Sequence, residues 1–307
     1  MGRLVYMDHS ATTPLRDEVL QAMLPYFGET FGNASSVHGF GREARQALEH
    51  ARQSVASLIG AQPEEIIFTS GGTESDNLAV KGAALARQKK GRHVVTSAIE
   101  HHAVLNPCTW LQEHGFEVTS LAPDGEGLIS AAELRRALRP ETCLVSIMLA
   151  NNEVGVIEPV AELASVTHQA GALFHTDAVQ ACGKMPVNVQ ELGVDLLTMS
   201  AHKFYGPKGV GVLYRRKGVR IEPMLHGGHH EKNLRPGTEN VAGIVGLAEA
   251  LSLACAEMPQ ETQRLARLRD RLQSGILSSI ADVRVNGHSP YGGRLPHILN
   301  VSILGVE

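Results

Sequence analysis

Short apolar segments alternate with amphipathic helical segments along most of this chain, and this alternation limits the folds that it can adopt. Residues 41–60 place small and aliphatic side chains on one helical face and end at Gly60. The strand-like segments, such as residues 142–150, are almost continuously apolar. Strands with that composition are typical of sheets buried on both faces. The sequence therefore predicts an α/β fold with a mostly parallel sheet covered by helices on both sides.

Length and composition limit the domain organisation and the kinds of partner that we expect. The chain has 307 residues, which suits one large α/β domain and a smaller one, and a long helical pattern over 259–280 leads toward the second. The net charge of -4 gives no reason to expect a nucleic acid or an anionic membrane as partner. No apolar run reaches the roughly 20 residues of a membrane span, and residues 1–10 do not resemble a signal peptide. We expect a soluble cytoplasmic protein.

The cysteine pattern argues against a structural metal or disulfide framework. The four cysteines are scattered and none forms a CxxC pair. The histidine-rich stretch 226–230 is a weak metal candidate, because His229 and His230 are adjacent and poorly placed to chelate one ion. We therefore predict no metal site.

Ligands of open α/β sheets bind at the carboxyl ends of the strands, so the residues that follow each strand carry the functional information. After the segment 65–70 come Gly71, Gly72 and Thr73, followed by a helical pattern. Two glycines at a helix start allow close backbone approach to a phosphate, to which Thr73 adds a hydroxyl. A tight turn into a capped helix explains the same residues equally well.

Two further strand ends carry polar groups. His101 follows the segment 93–100 and is suited to stacking on a flat ring or to carrying protons near neutral pH; a capping or surface histidine is the alternative. Asn151 and Asn152 follow the apolar segment 142–150, where they form either a turn or hydrogen bonds to a ligand.

The last two strand ends carry opposite charges. Asp177 ends the segment 172–177, where a buried carboxylate needs a cationic partner, and Gln180 follows nearly one helical turn later. Ser200, His202 and Lys203 follow the segment 194–200 within the stretch SAHKFYGPKG.

Taken together, these groups match a single cofactor. Pyridoxal 5'-phosphate has a phosphate, a flat ring, a phenolic oxygen, a ring nitrogen and an aldehyde, and it binds lysine as a Schiff base. No single strand end is specific, but five of them in order each present a group that this cofactor requires. We predict a pyridoxal-phosphate enzyme.

Several longer motifs then carry a family resemblance. YMDHSATTPLR, FTSGGTESDNLAVKG, NNEVGVIEP, HTDAVQACGK, SAHKFYGPKGVG and LRPGTENV occur in this order across nearly the whole chain. Together they resemble the NifS- and IscS-like cysteine desulfurases of the class V aminotransferases. The resemblance implies the pyridoxal-phosphate-dependent transferase fold of type I. It also implies a homodimer that takes sulfur from L-cysteine, releases L-alanine and leaves a persulfide on an enzyme cysteine. That sulfur would pass to an acceptor or iron–sulfur scaffold protein for iron–sulfur cluster or thio-cofactor assembly.

The resemblance also implies the role of each site residue. Lys203 would form the Schiff base, and His101 would stack on the ring and move protons. Asp177 would bind the ring nitrogen, Gln180 the ring hydroxyl oxygen, and Asn152 the substrate carboxylate as well as the ring. The residues implied for the phosphate are Gly72, Thr73, Ser200 and His202, with Thr238 reaching the phosphate of the other subunit.

One part of the family pattern is missing from the sequence. The family's attacking cysteine lies in a loop beyond the strand that residues 297–307 resemble. We therefore expect a large domain at 15–258 and an incomplete small α/β domain at 1–14 and 259–307, with this form inactive in full turnover. A truncated enzyme, a segment supplied by another chain and a cofactor-binding remnant all fit. Selenocysteine lyase or aminotransferase activity is the alternative within the same fold.

Overall fold

A mixed seven-stranded sheet forms the centre of the protein in the computed structural model, which describes residues 4–287 and 293–305. The strand order is β1-β7-β6-β5-β4-β2-β3, and a separate two-stranded sheet contains β8 and β9. The strands are β1 (Ile66–Thr69), β2 (His93–Ser97), β3 (Glu117–Leu121), β4 (Thr142–Ser146), β5 (Leu173–Asp177), β6 (Leu196–Ser200), β7 (Gly211–Arg215), β8 (Val283–Asn286) and β9 (Asn300–Ile303).

The pairing confirms the predicted parallel sheet with one exception. Strands β2 to β6 pair in parallel, whereas β7 runs antiparallel to both β1 and β6. Because the sequence between β6 and β7 is only a short turn and loop, β7 returns as a hairpin partner of β6. The carboxyl ends of β2, β4, β5 and β6 consequently meet at one edge of the sheet.

Helices cover both faces of the sheet, as the apolar strands predict. Alternate strand residues divide between two cores: Phe174 and Leu197 face the side that includes α3, α7 and α9, and Leu173 and Leu196 face α4 and α5. The helices are α1 (Asp17–Met23), α2 (Pro25–Gly28), α3 (Gly39–Leu58), α4 (Gly72–Arg87), α5 (His102–Glu113), α6 (Ala131–Ala137), α7 (Val160–Gln169), α8 (Val189–Leu192) and α9 (Val241–Ser279).

Helix α9 is longer than its sequence pattern indicates. The pattern suggested a helix from Pro259, but α9 starts at Val241, runs for 39 residues and includes Pro259. Among helices of the described residues, it alone has the length and apolar composition of a membrane span. Its first half is buried against the core from Ala242 to Leu251, and α1 and α3 pack on it, so burial within the protein accounts for that composition.

A buried ion pair fixes the loop before α9 to the edge of the sheet. Arg52 of α3 donates to both carboxylate oxygens of Glu231, over 2.6 and 3.0 Å, and the side chains are 7% and 4% exposed. Glu231 also accepts from the N–H of Phe68 in β1 over 2.8 Å. Glu231, Lys232 and Asn233 all have positive φ angles, so this contact holds a run of left-handed backbone in place.

We predict that Arg52→Met destabilises the fold by about 3–5 kcal/mol, because Glu231 is left as an uncompensated buried charge. Urea unfolding followed by circular dichroism measures this free energy. The matched control is Glu49→Gln, which removes the exposed partner of the same arginine and is expected to cost less than about 0.5 kcal/mol. Equal losses in the two variants would contradict the role given to Glu231.

Candidate active site

A cavity of about 1000 Å³ opens at the carboxyl ends of the parallel strands. It brings together nine of the ten residues predicted from the sequence: Gly72, Thr73, His101, Asn152, Asp177, Gln180, Ser200, His202 and Lys203. Thr238 does not line it. These residues come from five separate strand ends, so the topology rather than sequence proximity assembles the site.

The start of α4 forms one end of this cavity. Gly71 has a φ of +150°, and a Cβ atom on Gly211 of β7 would lie 2.6 Å from the Gly71 backbone. Glycine is therefore required at both positions for the strand and the turn to approach each other. Within the described ranges, the N–H groups of Gly72 and Thr73 have no acceptor. Free N–H groups at a helix start form a binding site for an anion such as phosphate.

The carboxylate of Glu74, near this helix start, forms an ion pair with Arg235. Glu74 pairs with Arg235, whose Nε lies 2.9 Å from Oε1, and Glu74 also accepts from the N–H of Ser70 over 2.8 Å. Burial alone would raise the pKa of Glu74, but the hydrogen bonds from Arg235 and Ser70 hold it below its ordinary value. The pair therefore leaves the helix start able to accept an anion.

His101 is held at the first turn of α5. Its Nδ1 accepts from the N–H of Ala103 over 3.1 Å, so the side chain caps the helix. In the neutral ring this hydrogen bond leaves Nε2 as the protonated nitrogen. The sequence left two alternative roles for His101, a helix cap and a functional group. The two roles do not exclude each other, because the cap fixes the orientation of a ring that lines the cavity.

Asp177 forms the floor of the cavity at the end of β5. It is 6% exposed, and its Oδ1 accepts from the N–H of Val179 over 2.8 Å. Burial raises its pKa, while the Val179 hydrogen bond and the nearby His101 and Lys203 oppose the rise. A cation placed against this carboxylate would restore its charged form.

Lys203 follows β6 on a short 3-10 turn, Ala201–Lys203. Its Nζ donates to the carbonyl oxygens of Ser10 and, over 2.9 Å, of Ala11. Burial lowers its pKa, while Asp177, Asp8 and Glu153 oppose this change. A lysine with a lowered pKa has more of the neutral amine that can attack a carbonyl.

An N-terminal segment, residues 8–13, lies across the lysine, and no local sequence pattern predicts this contact. Thr13 donates from both its N–H and its hydroxyl to the carbonyl of His202, each over 2.9 Å. The hydroxyl of Thr12 lies 3.1 Å from Nδ1 of His202. Burial and the positive charge of Lys203 lower the pKa of His202 to about 4, so its ring is neutral near pH 7.

Gln180 and Asn152 contribute amide groups. The Nε2 of Gln180 donates to Ser10 over 2.8 Å, while its Oε1 is buried without a hydrogen-bond partner among the described residues. Asn152 lines the cavity and donates to Glu153 over 2.7 Å. A buried acceptor without a donor is costly, so the Gln180 oxygen favours a ligand with a hydroxyl group.

Two acidic residues of the cavity were not identified from the sequence. Asp76 of α4 and Glu100, before α5, line the cavity and are 1% and 6% exposed. Burial raises the pKa of Glu100 to about 8. Asp76 follows the predicted Thr73 by three positions in α4, and Glu100 directly precedes the predicted His101 in a turn. Acidic residues in helices and turns are ordinarily exposed, so the sequence alone did not indicate these two.

The histidine-rich loop has structural contacts. His229 hydrogen-bonds to Asn233 over 2.7 Å, and Nδ1 of His230 accepts from the N–H of Gly237 over 3.2 Å. Across residues 4–287 and 293–305, no three His, Cys, Asp or Glu side chains form a group suited to a metal ion.

The residues present fit pyridoxal 5'-phosphate. The free N–H groups at α4 suit its phosphate, the unpartnered Gln180 oxygen suits its hydroxyl, and the buried Asp177 suits its ring nitrogen. Lys203 supplies the amine for its aldehyde. All four groups surround the same cavity.

Comparison with known proteins identifies the family of the chain. The family model described as Aminotransferase class-V matches residues 5–307. The chain is 56% identical over 307 residues to the cysteine desulfurase IscS of Dictyoglomus turgidum, covering 100% of this chain and 77% of that protein.

Solved structures agree in fold. A NifS-like protein has a TM-score of 0.94 at 42% identity, covering 98% of this chain and 82% of its own. The protein SspA in complex with cysteine has a TM-score of 0.79 at 42% identity, covering 81% and 72%. The chain therefore belongs to the class V aminotransferase family and, within it, to the NifS- and IscS-like cysteine desulfurases.

Proposed function

We propose that this chain binds pyridoxal 5'-phosphate and L-cysteine and carries out the desulfurase reaction that yields L-alanine. The observation that carries the proposal is the position of Lys203. Its side chain is half-buried, has a lowered pKa and shares one cavity with Asp177, with the helix start at Gly72 and with His101. The similarity to IscS and to the cysteine complex of SspA supports L-cysteine as substrate.

The cofactor, when bound, would supply an aldehyde that reacts with amines and a ring that withdraws electrons from the substrate's α-carbon. The N–H groups of Gly72 and Thr73, with Ser200 and His202, would hold its phosphate. Neutral His202 can accept or donate a hydrogen bond there without adding charge. Asp177 would hold a proton on the ring nitrogen, because a protonated ring is the cation that this buried carboxylate lacks.

Lys203 would also act as the base. An amine with a lowered pKa can take a proton from the substrate's α-carbon and return it at the neighbouring position. His101, fixed by its cap, would lie against the ring and exchange protons through Nε2. Asn152 would bind the substrate carboxylate through its amide group.

Sulfur must then reach a thiolate, and the chain's own cysteines are poorly suited to accept it. Cys108, Cys143 and Cys182 are buried and Cys255 is half-buried. Burial raises the pKa of Cys108 to about 12 and that of Cys143 to about 11, and it also raises the pKa of Cys182 and Cys255. A thiol with a raised pKa is a weak nucleophile near pH 7. We propose that the accepting thiol is none of these four, and that the sulfur passes onward to an acceptor or iron–sulfur scaffold protein.

Exposed aromatic side chains support a homodimer. Phe27, Phe31 and Phe40, in or near α2 and the start of α3, are 65%, 68% and 57% exposed, Val37 is 86% exposed, and the rings of Phe31 and Phe40 lie 5.9 Å apart. Apolar patches of this kind mark protein–protein interfaces. In the proposed dimer, Thr238 lies outside its own cavity because it contacts the cofactor phosphate of the partner subunit.

We also propose two domains and a cytoplasmic location. A large domain at 15–258 and a small one at 1–14 and 259–307 agree with the separate β8–β9 sheet, although the boundary falls within α9 and residues 1–3, 288–292 and 306–307 lie outside the described part. Four cysteines without a disulfide support the cytoplasm as the location.

We predict that Lys203→Ala abolishes covalent attachment of the cofactor and lowers alanine formation by about 10²- to 10⁴-fold, because the base is lost. Borohydride reduction followed by peptide mass analysis locates the pyridoxyl group, and alanine release is measured with an external thiol as acceptor. Lys208→Ala, an exposed lysine of the same loop, is the matched control and should behave like the wild type. Labelling of any lysine other than Lys203 in the wild type would refute the assignment.

Asp177→Asn should raise the dissociation constant of the cofactor by about 10- to 100-fold, because a charge-assisted hydrogen bond to the ring nitrogen is replaced by a neutral one. Equilibrium dialysis of the apo-protein against graded cofactor measures this. Asp8→Asn, an exposed acid that also lines the cavity, should change the constant by less than about threefold. Unchanged affinity in Asp177→Asn would remove Asp177 from the binding site.

After incubation with L-cysteine and cofactor, none of the four cysteines is expected to carry a persulfide. Peptide mass analysis under non-reducing conditions tests each of them. Cys182→Ala should also leave alanine release to an external thiol within about twofold of the wild type, since a buried cysteine behaves as a small packing residue. A persulfide on Cys182 would overturn the proposal.

A further inference from the structure

A second carboxyl group lies in the cavity close to Asp177. Asp76, on α4, is 1% exposed and lines the cavity. Its Oδ1 is buried without a hydrogen-bond partner in the described part of the chain. A buried carboxylate without compensation costs several kcal/mol, so the environment must either supply a cation or hold the group as the neutral acid.

His175 is the nearest candidate for a partner, and it is not a cation. It precedes Asp177 by two residues on β5, so both side chains are on the same face of the strand. Its Nε2 lies 3.5 Å from Oδ1 of Asp76 and 3.2 Å from the hydroxyl of Thr198, and its Nδ1 lies 2.8 Å from the hydroxyl of Ser146. The ring is fully buried, and burial lowers its pKa to about 3.

Two other acidic side chains act on Asp76. Glu100, which precedes α5, accepts from Ser97 and from the N–H of Met148 over 3.0 Å, and Asp177 is the remaining acid. Both repel a negative charge on Asp76, and burial together with this repulsion raises its pKa well above the ordinary value. Lys203 and His101 act on Asp177, where they oppose the rise in its pKa. Of these three acids, only Asp177 therefore faces basic side chains that favour its ionised form.

We propose that Asp76 is a positioning residue held as a neutral acid beside Asp177, which leaves Asp177 as the anion that meets the ring nitrogen of the cofactor. The role rests on the proposed cofactor binding, although the neutrality of Asp76 is a property of the protein alone. A hydrogen bond with Thr198 holds the Asp76 side chain, and Thr198 is also the register partner of Asp177 on β6.

The first test needs no cofactor. Asp76 keeps its proton in the folded protein and loses it above about pH 4 in the unfolded chain, so the folded state binds more protons. Asp76 therefore contributes a loss of stability as pH rises from about 4 toward its raised pKa, and Asp76→Asn removes this contribution while the other buried acids keep theirs. For the full chain without cofactor, the melting temperature of Asp76→Asn should exceed that of the wild type by about 3 °C or more at pH 8. The difference should vanish near pH 4.

The control for this test is Asp8→Asn, which removes an exposed acid and should show no such pH-dependent gain. Equal melting temperatures of wild type and Asp76→Asn at pH 8, or a lower one in the variant, would show that Asp76 is ionised and overturn the proposal.

The second test separates positioning from charge. Asp76→Asn keeps a neutral hydrogen-bonding group of the same shape, and Asp76→Leu keeps similar volume without it. We expect the cofactor dissociation constant to stay within about threefold in the first variant and to rise about tenfold in the second, as one lost hydrogen bond predicts. Equal constants in all three proteins, or equal losses in both variants, would overturn the proposal.

The pH titration of the bound cofactor's visible absorbance supplies a spectroscopic check. It should match the wild type in Asp76→Asn and shift in Asp76→Leu, because a merely structural residue would not change the ionisation of the bound group. Failure of the wild type to bind cofactor would refute the proposed function, while the melting experiment would still decide the protonation state of Asp76.

Discussion

The site depends on the opposition of one carboxylate and one amine at the ends of adjacent parallel strands. Asp177 ends β5, and Lys203 follows β6 after a short turn. Burial moves both groups toward their neutral forms, raising the pKa of Asp177 and lowering that of Lys203, while each opposes the shift of the other. The carboxylate consequently needs a cation that the amine alone does not supply, and the amine retains nucleophilic character. The pairing of β5 with β6, with Asp177 beside Thr198, fixes the distance over which this balance acts.

The N-terminal segment connects this pair to the rest of the protein. Ser10 and Ala11 offer carbonyl oxygens to the Lys203 amine, while Thr13 binds the backbone of His202. On the opposite side, the buried Lys184 donates to the carbonyl of Lys203 over 2.7 Å. The reactive lysine is therefore held at its backbone and its amine by different segments. Any ligand that takes the amine must displace two carbonyl contacts, and the backbone contacts keep the turn in position when it does.

The sequence was informative where chemistry coincides with topology. The carboxyl ends of strands could be located from apolar runs alone, and the residues after them, such as Asp177 and Lys203, line the cavity as predicted. Asp76 and Glu100 escaped detection because acidic residues in helices and turns are usually solvated, and only the tertiary fold buries them. The Arg52–Glu231 pair joins residues 179 positions apart, a separation over which no local pattern gives information. The start of α9 was missed for the opposite reason: its first half is apolar on several faces because it is buried, so helical periodicity is weak there.

The acidic character of the cavity also bears on how sulfur leaves it. Three carboxyl groups, Asp76, Glu100 and Asp177, line it, and burial together with repulsion from Asp177 raises the pKa of Asp76 and Glu100. A cysteine placed permanently among them would likewise be held as the thiol, because burial and nearby negative charge both raise the pKa of a thiol, as they do for Cys182. For the proposed reaction we therefore expect an acceptor thiolate whose pKa is set outside this cavity and which enters it when substrate is bound. The buried, acidic cavity suits activation of the substrate, whereas a thiolate needs surroundings that lower its pKa. This difference favours an acceptor cysteine on a segment that moves or on a separate chain.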